Sequence, residues 1–229
     1  MIQQKNERGR RILDATRELL AERGYANVTI RELASRCGVS VPTLYNRFGG
    51  KDELIAQAVR SQFSEVLGSV DEHAEPIGHR RLMALIGRMA DGVVELASYN
   101  RSLLQAFSQV RETGAIHQGL AQELVSAIVV QLQEMKRRRQ LGDWVDPGVL
   151  SAQIATACIA ASMTWSARVI SDTGLKPFME HSVGLLLVAS TRGACRDDLL
   201  ERVKQAQTLV APELQAEASR LTDPVANEA

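Results

Sequence analysis

Aromatic side chains are scarce: two tryptophans, three tyrosines and four phenylalanines in 229 residues. Strand-like alternation is missing too, since no segment keeps an apolar residue at every second position for long. A chain rich in Ala and Leu with that pattern is read as all-α. Three cysteines, Cys37, Cys158 and Cys195, are too few and too scattered for a disulfide framework or a zinc site, which fits a reducing compartment. The opening MIQQKNERGRR has no apolar signal core. The longest apolar run, around Val183 to Ala189, falls short of the roughly 20 residues a membrane span needs. The expectation is a cytoplasmic protein with no membrane partner, of one large domain or two small ones.

Catalytic signatures are also missing. The sequence has no G-x-x-x-x-G-K, no G-x-S-x-G and no H-E-x-x-H. His73, His79, His117 and His181 show no paired metal-ligand spacing. Neither an enzyme nor a metal or cofactor is expected. Net charge is zero, which taken whole advertises no nucleic-acid binding. The charge is segregated, however. Residues 1–60 carry 11 Lys/Arg against 7 Asp/Glu, a net of +4, and the remainder is −4. A phosphate backbone responds to local sign, so the basic end is the one to read closely.

Helical periodicity accounts for most of the chain. Ile12, Leu13, Thr16, Leu19 and Leu20 share one face of a helix over about 10–23, stopped by Gly24. TIRE at 29–32 is a capping box, opening a helix with Ile30, Leu33, Ala34 and Cys37 on one side. Gly38 allows the turn out. Ser40 caps a third, very short helix with Pro42 in its first turn, and Gly49-Gly50 ends it. A longer helix starts at Lys51. Residues 68–80 are a polar break, after which amphipathic stripes recur around 82–96, 103–110 and 116–135. The run KRRR at 136–139 reads either as a phosphate patch or as a helix C-terminus, where cations offset the dipole. Asp146-Pro147 caps a helix to about Ile170, and a second follows over 176–191; both are apolar or small nearly all round, which demands burial on more than one side. A last amphipathic stretch spans 199–209, and a polar tail from Ala211 is expected to be flexible.

Two short helices joined by a glycine turn form a helix-turn-helix pattern. A helix as short as the third is marginal alone, so neighbours must hold its back and leave its front free. A major groove admits one such helix. Thr43 and Asn46 suit base edges, Tyr45 and Lys51 suit phosphates, and Thr29 and Ser40 stand at helix N-termini where an anion is favoured. Tyr45 shares a face with Val41 and Phe48, so core packing is its other reading. Leu44 and Phe48 are read as core.

The segment TIRELASRCGVSVPTLYNRFGGKDEL resembles the DNA-binding segment of the tetracycline-repressor (TetR) family of bacterial transcriptional regulators, over roughly Arg10 to Leu54. The resemblance implies DNA contacts from Thr29, Ser40, Thr43, Tyr45 and Lys51, with positions Val41, Pro42 and Asn46 varying with operator. Gly50 departs from the family, which often has a serine cap there; Pro42 cannot donate a hydrogen bond, which leaves it an apolar contact only. The resemblance further implies a homodimer on a palindromic operator, with a small-molecule effector held in the body; by composition, an apolar pocket would suit an apolar effector. The implied organisation is a helix-turn-helix domain at 1–50, a helical ligand-binding and dimerisation domain at 51–210 and a tail at 211–229. The dimer would form through helices 147–170 and 176–191, where Ala152, Ala155, Ala160 and Ala161 permit close approach. Phe107, Met163 and Trp165 are the candidates for lining a cavity. A repressor released by its effector is the expected function; a ligand-free DNA-bound scaffold is the alternative.

Overall fold

The computed structural model describes residues 2–70, 77–109 and 114–222, with side chains described at 7–70, 77–105 and 122–219. The helices are α1 (Ile2–Arg23), α2 (Ile30–Arg36), α3 (Val41–Phe48), α4 (Lys51–Gly68), α5 (His79–Glu95), α6 (Ala97–Gln109), α7 (Gly114–Arg137), α8 (Pro147–Ser166), α9 (Leu175–Ser190) and α10 (Ala194–Thr222). A 3₁₀ turn at Tyr25–Asn27 lies between α1 and α2. Among the described residues there is no strand, only one isolated antiparallel bridge, Leu141 with Thr191. The all-α reading holds.

Packing divides the chain into two compact units, residues 1–69 with 93–124 and residues 70–92 with 125–229. The first unit has a single core. Ile12, Leu19 and Leu20 of α1 meet Leu33 of α2, Leu44 and Phe48 of α3, Leu54, Ile55 and Val59 of α4, and Tyr99 and Leu103 of α6. Local chemistry sets the helix ends. The Thr29 hydroxyl accepts from the Glu32 N–H at 3.3 Å, and the Glu32 carboxylate accepts from the Thr29 N–H at 2.9 Å. The bond from the Thr29 N–H foremost, and a second from the Thr29 hydroxyl to the same carboxylate, hold the Glu32 carboxyl below the usual carboxylate range. Helix α3 stops at Gly49, whose φ of 91° suits only glycine well. Helix α1 starts about two turns earlier than its apolar stripe indicates. Gln, Lys, Glu and Arg propagate a helix without advertising a buried face.

In the second unit α8 buries Leu150, Ile154, Ala155, Cys158, Ala161 and Trp165. Helix α9 buries Leu175, Met179, Val183 and Leu187, and α10 buries Leu199, Val203, Ala206 and Val210. By length and composition α8 passes as a membrane span, with a mean hydropathy of 1.3 over its best window. No long continuous apolar run marks it, because Ser and Thr punctuate the helix. One side of α8 is nonetheless packed inside the protein.

Three cations of the run KRRR have partners at the end of α7. The Lys136 ammonium donates to the carbonyls of Gly142, Asp143 and Val145 at 3.0, 2.8 and 2.9 Å. Arg137 and Arg138 both pair with Glu134. The Arg139 carbonyl accepts from Arg192 Nε at 2.9 Å. Lys136 thus closes the loop after α7, and Arg137 and Arg138 are tied to a carboxylate in its last turn.

Of the segment expected to be a flexible tail, residues 211–222 continue α10, and 223–229 lie outside the described residues. Pro212 lacks an N–H and crowds the carbonyl four residues back, so propensity alone argues for a stop there. Tertiary contact overrides it. Val210 is buried, and the Glu213 carboxylate accepts from the Ser171 N–H at 2.8 Å and the Ser171 hydroxyl at 2.7 Å.

Helices α9 and α10 cross at Gly184, where a Cβ would collide with a methyl of buried, β-branched Val203. Gly184→Ala is expected to destabilise the protein by about 1–3 kcal/mol through overpacking. A urea midpoint equal to the wild type's would mean the two helices are further apart than this.

Candidate nucleic-acid interface

Helix α3 has two faces. Leu44 is 0% exposed and Phe48 6%, and both sit in the core of the first unit. On the outer face Ser40, Pro42, Tyr45 and Asn46 are exposed, while Val41 and Thr43 are half-buried. Tyr45, at 50% exposure, is not core. Thr29 is also exposed, at the N-cap of α2.

Several of these polar groups already have partners. The Thr29 hydroxyl also donates to the Glu32 carboxylate at 2.9 Å. The Ser40 hydroxyl accepts from the Thr43 N–H at 3.3 Å and lies 2.8 Å from the Thr43 hydroxyl. Only one hydroxyl of that pair can donate to the other, so one O–H remains for an outside acceptor. Lys51 is the most constrained. Its ammonium donates to the Tyr25 carbonyl at 2.9 Å and lies 4.4 Å from the centre of the Tyr25 ring. Burial pulls its pKa below the usual lysine value, against the attraction of Asp52 and Glu32. Two of its three N–H donors remain beyond the carbonyl bond.

Tyr25 escaped the sequence reading. Its N–H donates to the Ser102 hydroxyl on α6 at 3.1 Å and its phenol to Asp52 at 2.7 Å. With the Lys51 bond, one residue of the 3₁₀ turn holds both the start of α4 and α6. The available signal was a lone aromatic in the polar stretch GYANVT, which no helical stripe explains. Gly50 supplies no side-chain cap to α4, and Asp52 and Glu53 in the first turn provide the negative charge that favours a helix N-terminus.

Trp165 is 0% exposed, and its indole N–H donates to Asp172 at 2.8 Å. Met163 is half-buried on α8. The side chain of Phe107 lies outside the described residues. Of the four small residues on α8, Ala155 and Ala161 are buried within the chain, while Ala152 and Ala160 are exposed.

Comparison with known proteins places the helix-turn-helix in a family. The profile described as bacterial regulatory proteins, tetR family, matches residues 12–58. The HTH-type transcriptional repressor KstR of Mycobacterium tuberculosis is 23% identical over 185 residues, covering 80% of this chain and 82% of that protein. Among solved structures, SmeT, the repressor of the Stenotrophomonas maltophilia multidrug efflux pump SmeDEF, superposes with a TM-score of 0.60 at 17% identity, covering 82% of this chain and 92% of the other. The fatty acid degradation regulator FadR of Bacillus halodurans gives a TM-score of 0.63 at 16% identity, covering 77% and 96%.

Lys51→Ala separates the two roles open to that ammonium. As a phosphate contact, its loss weakens binding to every duplex alike and flattens the salt dependence by about one unit per protomer. An unchanged salt slope, with lowered thermal stability, would assign Lys51 to Tyr25 alone.

Proposed function

The chain belongs to the tetR family of bacterial regulatory proteins, DNA-binding transcriptional regulators, and on that premise we propose that it is a homodimeric repressor released from a palindromic operator by a small-molecule effector. The observation that carries this reading is α3 itself, a two-turn helix whose buried Leu44 and Phe48 leave Pro42, Tyr45 and Asn46 facing outward. In this reading residues 1–50 are the DNA-binding domain and 51–210 the ligand-binding and dimerisation body. Asn46 and the Thr43 hydroxyl meet base edges, and Val41 and Pro42 make apolar contacts, such as with thymine methyls. Thr29, Ser40, Tyr45 and Lys51 hold phosphates. The protein works in the cytoplasm, where its operator is.

Support for a dimer comes from the outward side of α8 and α9. Val149, Ala152 and Ala160 on α8 are exposed, as are Leu185 and Ala189 on α9. Exposed apolar and small residues on two packed helices suit a four-helix interface with a second copy. A dimer sets two α3 helices one DNA turn apart, about 34–36 Å. An effector bound in the body repositions α4 and breaks that spacing. Reversing a tenfold preference for the DNA-competent spacing takes about 2.7 kcal/mol of differential binding.

The purified protein, without effector, is to be used to select genomic DNA fragments at near-physiological salt. Recovery of one shared palindrome is expected; salt-labile recovery with no common element would sink the operator-specific reading. Leu185→Arg tests the dimer, since a charge at that face is expected to shift sedimentation to the monomer and to cost at least tenfold in affinity for the palindrome. A dimer that survives the substitution would place the interface elsewhere.

A further inference from the structure

Several cations of the first unit are already committed. Arg17 pairs with Asp14, Arg23 with Glu32 and Arg36 with Glu22, and Lys51 is tied to Tyr25. Arg8 and Arg11, near the start of α1, are exposed and have no carboxylate partner among the described residues. They stand three apart, one above the other on one face of the helix.

The packing of α1 decides which way that face looks. Gly9 is buried against the Arg47 guanidinium of α3, which a Cβ there would strike. Ile12, at 2% exposure, is fixed in the core. The Cys37 thiol reaches the Ile12 carbonyl at 3.8 Å, holding the turn of the helix-turn-helix against α1. Arg8 and Arg11 therefore border an open cleft of about 470 Å³ with Glu7 and Ile12 on one side and Cys37 and Gly38 on the other. Ser40, the cap of α3, follows Gly38 by two residues. With one carboxylate against two guanidiniums, the rim of this cleft is net positive.

We propose that Arg8 and Arg11 bind the DNA sugar-phosphate backbone beside the segment that α3 reads, as a phosphate-holding edge contributed by α1. This rests on the DNA-binding reading and adds residues to it. The guanidinium fork matches a phosphate with two parallel N–H bonds, and unpaired, exposed guanidiniums need break no ion pair to make them. Such contacts carry no sequence information; they add affinity to any duplex and fix how the protein lies on it.

The test measures affinity for a mixed-sequence duplex of several helical turns against salt concentration. Arg8→Gln with Arg11→Gln preserves helix propensity and touches no buried contact. The double variant is expected to flatten the plot of log affinity against log salt by about two units per bound protomer. Arg8→Lys with Arg11→Lys is expected to keep most of the slope, and Arg196→Gln, an exposed charge of the second unit, to leave it unchanged. An unaltered slope in the double glutamine variant overturns the proposal while leaving the regulator reading intact. An equal loss from Arg196→Gln overturns it as well, by reducing the effect to net charge. A wild-type protein that retains no duplex at any salt overturns both readings together.

Discussion

A helix of two turns has no stability of its own in water, so α3 persists only while Leu44 and Phe48 stay buried. Each such side chain contributes roughly 1.5–3 kcal/mol when fully removed from water. The rest of the first unit follows from that requirement. Helices α1, α2, α4 and α6 contribute apolar residues to the core that those two side chains join. Ser40 fixes where α3 begins, and Gly49 fixes where it ends. Because the inward face is held this firmly, the outward face is presented without a choice of backbone conformations. Whatever binds it is spared the ordering cost that a flexible segment would impose.

Tyr25 performs a second kind of fixing. Its backbone N–H, its carbonyl, its ring and its phenol are engaged with Ser102, Lys51 and Asp52. Three points of the first unit, the turn before α2, the start of α4 and the body of α6, are thereby held to one residue. A displacement of α6 at Ser102 must either break the 3.1 Å bond or carry the 3₁₀ turn with it. A turn that moves takes with it the Lys51 ammonium, beside the surface α3 presents. The coupling is physical and local, made of four contacts rather than of proximity in sequence, and it works equally in both directions.

Features set by neighbours along the chain were legible beforehand. The Thr29–Glu32 box, the Ser40 cap and the Asp146-Pro147 start each join residues within four positions, and each appears in the structure as read. Leu44 as core was legible by the same rule of periodicity. What escaped depends on distant partners. Nothing near Tyr25 announces Ser102, 77 residues away, and nothing near Pro212 announces that Glu213 will hold Ser171. Tyr45 could not be assigned from its helical face, which it shares with core residues; only burial distinguishes it. Lys51 shows the opposite limit. Its place at the start of α4 was read correctly, but composition cannot reveal that its ammonium lies against an aromatic ring.

Zero net charge conceals an arrangement that matters more than the sum. The first 60 residues are at +4 and the remainder at −4, so a duplex is attracted by one end of the sequence and repelled by the rest. That asymmetry favours encounters led by the helix-turn-helix and disfavours contacts by the body. Carboxylates also hold back part of the basic charge: Asp14, Glu22 and Glu32 each engage an arginine of the first unit. Those three cations are then less available to phosphates, and non-specific affinity, which grows with the number of phosphates neutralised, is lower for it. Pairing two protomers on one duplex converts the second contact into an intramolecular one and multiplies affinity where both fit. In the proposed dimer a modest grip per protomer is a condition for control, because a change in spacing that unseats one α3 removes the advantage the pair provides.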